Sequence, residues 1–285
     1  MNTTANPLTQ FYRVERLSVR LPSRGQYYDN DVVNLNDDGE VPIFPMTAAD
    51  EMQLKNPDAL LSGSAIIDVL RSCVPAIKQP TKLLSCDIDV LMIGIRHASY
   101  GGGADMTLVC PSPSCGADNI YRVDLDTMLN TAEVLDDSYE AVLQDGKLTV
   151  YIKPGTFSAI LKRQKTAFEG AQLGRAVSNV DLSDEQRLKL FASTYTKLTK
   201  LNFELISDAI DRIVFSDEAG ELTEVKNKKH IDDFIKNVAK EDVDKIEEVI
   251  KAVNKIGIAQ FMPAVCTTCQ HKWEAPIEFN PVNFS

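Results

Sequence analysis

Cys110-Pro111-Ser112-Pro113-Ser114-Cys115 and Cys266-Thr267-Thr268-Cys269 decide how this chain closes. Each is a close cysteine pair in a turn-forming setting, and residues 116–265 lie between them. Two such knuckles supply the four thiolates of one tetrahedral site, two ligands from each of two turns. The two-residue spacer of the second knuckle lets both sulfurs reach one ion. The four-residue spacer of the first is looser but still usable. Pro111, Pro113 and Gly116 suit a tight turn there. If the knuckles meet, the ends of a long insertion are clamped together.

Zinc is the metal this donor set implies, since it is borderline-soft and takes four-coordinate thiolate shells. Cys110, Cys115, Cys266 and Cys269 are therefore the expected ligands. Four thiolates fill the shell, whereas a catalytic zinc keeps a position open, so the expected ion is structural. Four unrelated buried cysteines are the plain alternative, because free cysteine is often an inert core residue. A redox CxxC would need a thioredoxin-like βαβ setting, and Val265, Thr267, Thr268 and Gln270 do not suggest one. His271 could replace one thiolate, or simply sit at the surface. Trp273 is placed to pack over the site. Cys73 and Cys86 have no close cysteine partner and fall on helical apolar patterns, which reads as core.

The flanking pattern is mixed. Leu17, Val19 and Leu21 alternate with polar residues, as in a half-buried strand. Val32–Leu35 and Val41–Phe44 flank Asp37-Asp38-Gly39-Glu40, a hairpin signal. Thr47 reads as a helix N-cap with Asp50 and Glu51 in the first turn. Helices are expected over 64–73 and 85–98, the second stopped by Gly101-Gly102-Gly103. Short strands are expected at 106–109 and 120–123, beside the first knuckle, and at 148–152. From Thr156 to Ile256 the pattern predicts helix almost throughout. Leu182-Ser183 begins its long amphipathic stretch, with Leu188, Phe191, Tyr195, Leu198, Phe203, Ile206, Ile210 and Ile213 at spacings of three to five. Lys226–Lys229 reads as an exposed loop, and a last helix from about Glu241 should end at Gly257. Strands return at 258–265 and 273–277.

The expected class is α+β. It comprises an N-terminal α+β domain with the first knuckle (1–125), a mainly helical insertion (126–257), and C-terminal knuckle strands (258–285) that complete a split zinc ribbon.

The formal net charge is -11 over 285 residues. That opposes broad contact with nucleic acid, which needs cations to displace phosphate counterions, and opposes an anionic membrane surface. It suits solubility or a partner with basic patches. The start of the chain lacks the basic and apolar regions of a signal peptide. Synthesis in a cytoplasm is expected, where close cysteine pairs read as metal sites before disulfides.

Other chemistry is thinly supplied. Asp29, Asp31, Asp37 and Asp38 cluster, but Val33 stands where an EF-hand loop from Asp29 needs its fifth-position oxygen, so a solvated hairpin tip is expected. The glycine triplet does not follow a strand and open a helix, so it makes no phosphate cradle. GxSxG and HExxH are absent, and His97, His230 and His271 are the only histidines. His97 is expected at a surface or subunit contact. Ser23-Arg24 reads as a plain turn, with a recognition loop as the alternative.

Leu21-Pro22-Ser23-Arg24-Gly25, with tyrosines after it, precedes Phe44-Pro45-Met46-Thr47-Ala48-Ala49-Asp50-Glu51 and a capped helix. Arg96 and Ser99-Tyr100-Gly101 follow, just before the first cysteine pair. This string resembles the T4-like phage baseplate proteins, the family of the hub assembly subunit of contractile tails. The resemblance covers roughly residues 15–125 and the terminal CxxC. It implies a virion tail component or assembly factor, assembled in the host cytoplasm, that contacts hub, wedge or other tail proteins and has no enzymatic activity. The competing readings are a zinc-ribbon regulator that binds nucleic acid and, last, a metalloenzyme.

Overall fold

The computed structural model describes residues 6–29, 31–177, 183–216 and 220–277. The opening Met1–Ala5, Leu182 and the end of the 258–285 segment lie outside the described residues. The backbone divides into two units, one of residues 1–80, 86–134 and 257–285 and the other of residues 81–85 and 135–256. Among the described residues no helix is long and apolar enough to cross a membrane.

In the first unit β1 (Leu17–Arg20) pairs antiparallel with β2 (Glu40–Ile43), placing Val19 opposite Val41 and Leu17 opposite Ile43. The hairpin expected between Val32–Leu35 and Val41–Phe44 does not form. Val33 makes only an isolated bridge to Ile77. The turn closes without a second strand because the Asn36 side chain accepts hydrogen bonds from the amides of Asp38 and Glu40, at 3.1 and 2.8 Å. Such local side-chain bonds offer the backbone an alternative to a ladder.

Three short helices follow, α1 (Ala48–Leu54), α2 (Pro57–Leu61) and α3 (Ser64–Cys73). Thr47 caps α1 as its sequence suggests, in a reciprocal box with Asp50. Then α4 (Ser85–Tyr100) runs through the core, with Leu91 and Ile95 fully buried. The β1–β2 ribbon lies directly on Gly94 of α4. A Cβ there would stand 2.4 Å from Ile43 Cδ1 and 3.2 Å from Val19 Cγ1. The Ser23-Arg24 turn is anchored rather than free, because Asp87 of α4 accepts from the Ser23 amide (3.0 Å), the Ser23 hydroxyl (2.5 Å) and the Tyr28 hydroxyl (2.6 Å). Cys73 and Cys86 are buried, as read from their patterns. β3 (Gly103–Val109) and β4 (Asp118–Asp124) form an antiparallel hairpin, and α5 (Leu125–Asn130) follows, capped by Asp124.

The second unit holds a four-stranded antiparallel sheet. Its elements are β5 (Tyr139–Leu143), β6 (Leu148–Ile152), α6 (Phe157–Val177), α7 (Asp184–Asp208), β7 (Ile210–Ser216), β8 (Leu222–Val225), α8 (Lys228–Asn237) and α9 (Lys240–Val253), with strand order β5-β6-β7-β8. Ala141, Leu143, Val150, Ile152 and Ile213 from the sheet meet Ile206, Ile231, Ile235, Val243 and Ile246 from the helices in one core. The reading of 156–256 as helix almost throughout is therefore corrected at β7 and β8. The cause is a β-bulge. The register with β6 shifts between Tyr151 and Ile152, so that Ile152 faces Ile210 while Tyr151 faces Arg212. The extra residue, Asp211, lets Ile210 and Ile213 both point into the core, and their spacing of three imitates a helix. The expected Lys226–Lys229 loop is shorter, since Asn227 caps α8 and helix begins at Lys228.

The chain returns to the first unit through β9 (Phe261–Val265) and β10 (Lys272–Pro276), an antiparallel pair. The Glu133 amide donates to the Gly257 carbonyl at 2.8 Å, so the start and end of the long excursion are bonded to each other. The last helix stops at Val253, before Gly257. Gly257 serves a different purpose: its φ is +119° and a Cβ there would meet Cys86 Cβ at 2.9 Å. The class is α+β, as expected, with a four-stranded sheet among the helices of the second unit.

Candidate metal centre

The first knuckle bridges β3 and β4. The Cys110 amide donates to the Ala117 carbonyl at 2.9 Å and the Cys115 amide to the Ser112 carbonyl at 3.0 Å. Gly116 then takes φ +60°. The second knuckle bridges β9 and β10 in the same manner. The Cys266 amide donates to His271 and the Gln270 amide to Cys266, both at 2.9 Å, and Gln270 takes φ +61°. In both turns the residue after the second cysteine is left-handed, which reverses the chain into the returning strand. Glycine accepts that conformation freely; glutamine does so at a cost.

These turns bring the four cysteines together. Their sulfurs all lie within 4.8 Å of one another. Cys110 is 3.7 Å from Cys269 and Cys115 is 3.7 Å from Cys266, so each close contact joins one knuckle to the other. A disulfide needs about 2.05 Å between sulfurs. A zinc–thiolate bond of about 2.3 Å gives a tetrahedron edge of about 3.8 Å, and the observed separation matches that edge. Cys110 and Cys266 are buried, Cys115 is half-buried and Cys269 is exposed.

The electrostatics are uneven around the cluster. Backbone N–H groups of Cys269 and Thr268 aim at the Cys266 sulfur and lower that thiol to about 6, despite its burial. Burial pushes the Cys110 thiol up to about 12. An anionic sulfur is thus favoured at Cys266 and disfavoured at Cys110.

The neighbouring side chains have partners of their own. His271 is not in the cluster; it stacks on Trp273 with ring centroids 6.1 Å apart. Trp273 meets Tyr121 edge-on at 6.2 Å, and the Tyr121 hydroxyl donates to the Val265 carbonyl at 2.8 Å. His97 has an internal partner, Asp126, at 2.8 Å. Among the described residues, the four cysteines are the one group of three or more His, Cys, Asp or Glu side chains arranged to hold a metal.

Asn119 escaped the sequence reading. It lies on β4 with 3% exposure, and its side chain connects the two knuckles. Its sequence signal is weak, a polar residue at a position of the 118–124 strand that alternates to the same side as Tyr121 and Val123.

No curated protein and no solved structure matches the chain. The family model for the T4 bacteriophage base plate protein matches residues 21–283, nearly the whole length, so the chain belongs to that family and is a phage baseplate component.

Proposed function

We propose that the protein is a structural or assembly subunit of the baseplate hub, acting through contacts with other hub, wedge or tail proteins. In this reading a zinc ion bound by Cys110, Cys115, Cys266 and Cys269 closes its fold. The observation that carries the metal reading is the pair of 3.7 Å sulfur contacts across two knuckles. When bound, the ion would supply cross-linking and no chemistry, because four thiolates leave it no open position. The reading treats residues 126–257 as an insertion whose flanks, 1–125 and 258–285, the metal staples together. It assigns the chain no catalysis.

An exposed face supports action through protein contacts. Leu188, Phe191 and Tyr195 on α7 are 69%, 65% and 66% exposed and share one side of the helix with Leu198. Monomeric proteins rarely leave such a stripe bare. The outer face of β3–β4 carries Asp105, Asp118 and Asp124 with only Arg122 to oppose them, which speaks against a nucleic-acid ribbon.

Two measurements test the proposal. Metal analysis of the purified protein should return about one zinc per chain. Deleting the gene should halt or misdirect tail assembly, and intact particles formed without the protein would refute the assembly role.

A further inference from the structure

We infer that Asn119 is a positioning residue for the metal centre, setting the geometry between the two knuckles and orienting the Cys266 sulfur through an N–H···S bond. This inference rests on the metal reading above.

The Asn119 amide is fully used. Its Oδ1 accepts from the Thr267 amide at 2.8 Å and from the Thr267 hydroxyl at 2.9 Å. Its Nδ2 donates to the Ala117 carbonyl at 2.9 Å and to Cys266 Sγ at 3.6 Å. The partners fix which end is which, because a backbone N–H faces the oxygen and a carbonyl faces the nitrogen. Ala117 belongs to the return from the first knuckle and Thr267 to the turn of the second. One buried side chain therefore bonds backbone on both sides of the cluster and one ligand inside it. Every such bond would otherwise need a water molecule, and the site has little room for one at 3% exposure.

The chemistry gives this arrangement a purpose. Four thiolates around a divalent ion carry two excess negative charges. A donor aimed at a sulfur spreads that charge and fixes the direction from which the sulfur meets the ion. Residues that orient ligands in this way change metal affinity by about 10- to 100-fold when replaced. A merely structural asparagine would stabilise the turn and leave the ligand's electronics alone.

The experiment uses the full chain loaded with zinc or with cobalt(II), in wild-type form and as Asn119→Asp, Asn119→Ala and Thr267→Val. Asn119→Asp keeps the acceptor for Thr267 but puts an anionic oxygen where Nδ2 faced the sulfur. Thr267→Val removes the hydroxyl bond and leaves the N–H···S bond intact. Zinc transfer to excess EDTA should run about tenfold faster or more in both Asn119 variants. The cobalt thiolate charge-transfer band should shift in them and stay unchanged in Thr267→Val. Transfer rates and spectra in Asn119→Asp equal to wild type would overturn the inference. A band shift in Thr267→Val as large as that in Asn119→Asp would also overturn it, reducing Asn119 to a turn-former. If Asn119→Ala does not fold, Asn119→Asp carries the test. A wild-type protein that binds neither ion refutes the metal reading itself, a separate result.

Discussion

Cys115 and Cys266 stand 151 positions apart in the chain and hold their sulfurs 3.7 Å apart. Cys110 and Cys269 repeat the relationship across 159 positions. Neither pair can approach unless both knuckles and both hairpins are formed. Replacing Cys110 or Cys266 with Ser should therefore abolish metal retention, from about one ion per chain to about none after dialysis, and lower the thermal midpoint markedly, because binding energy at such sites is folding energy. Metal analysis and differential scanning fluorimetry check this together. A Cys266→Ser protein with unchanged metal content would end the four-thiolate account.

Asp50 predicts an acid sensitivity. Its burial favours the neutral form, but hydrogen bonds from the Thr47 amide and hydroxyl, with Ser72 and the Arg13 guanidinium nearby, outweigh it and leave the carboxyl below its ordinary value. A depressed carboxylate contributes stability that is fully present above the unfolded value of about 3.9 and is lost as pH falls through the lower folded value. Wild type should thus exceed Asp50→Asn in stability at neutral pH, and the gap should close below about pH 4. Denaturant titrations at pH 7 and pH 3 measure it. Thr47→Ala should cost about 1 kcal/mol through the lost cap.

Gly94 should tolerate no side chain. The 2.4 Å approach to Ile43 and the 3.2 Å approach to Val19 leave no space for a methyl group between α4 and the β1–β2 ribbon. Gly94→Ala should destabilise by about 1–3 kcal/mol, even though alanine is the better helix former. Urea unfolding decides the sign; a stabilised variant would mean that the ribbon can shift away.

The α7 stripe separates folding from assembly. Phe191→Glu alters a side chain that is 65% exposed, so its effect on stability should stay within about 0.5 kcal/mol. Complementation of a phage lacking the gene should fall sharply. Normal particle yield with this variant would remove the stripe from the docking surface.

Much of the cysteine cluster was legible in sequence because each knuckle is local. Cysteine spacing, prolines and a glycine are enough to build each turn. The capping box at Thr47 and Asp50 was equally local. Ile210 and Ile213 misled for the opposite reason: a bulge depends on the register with a neighbouring strand, and the pattern along one strand cannot display it. Val32–Leu35 misled because Asn36 closed the turn by its own side chain. The role of Asn119 was hidden because Cys266 and Thr267, which take three of its four hydrogen bonds, come within reach only on folding.

By itself the sequence determined which residues could bind a metal, where most helices begin, and the family string from Leu21 to Gly101. Tertiary structure alone decided that Cys110 faces Cys269 and Cys115 faces Cys266, that β1 takes β2 as partner, and that Gly94 and Gly257 are points of close approach. The physical reason is range. Turn chemistry and caps act over a few residues, whereas sulfur geometry, strand register and steric contact depend on groups the chain holds far apart until it folds.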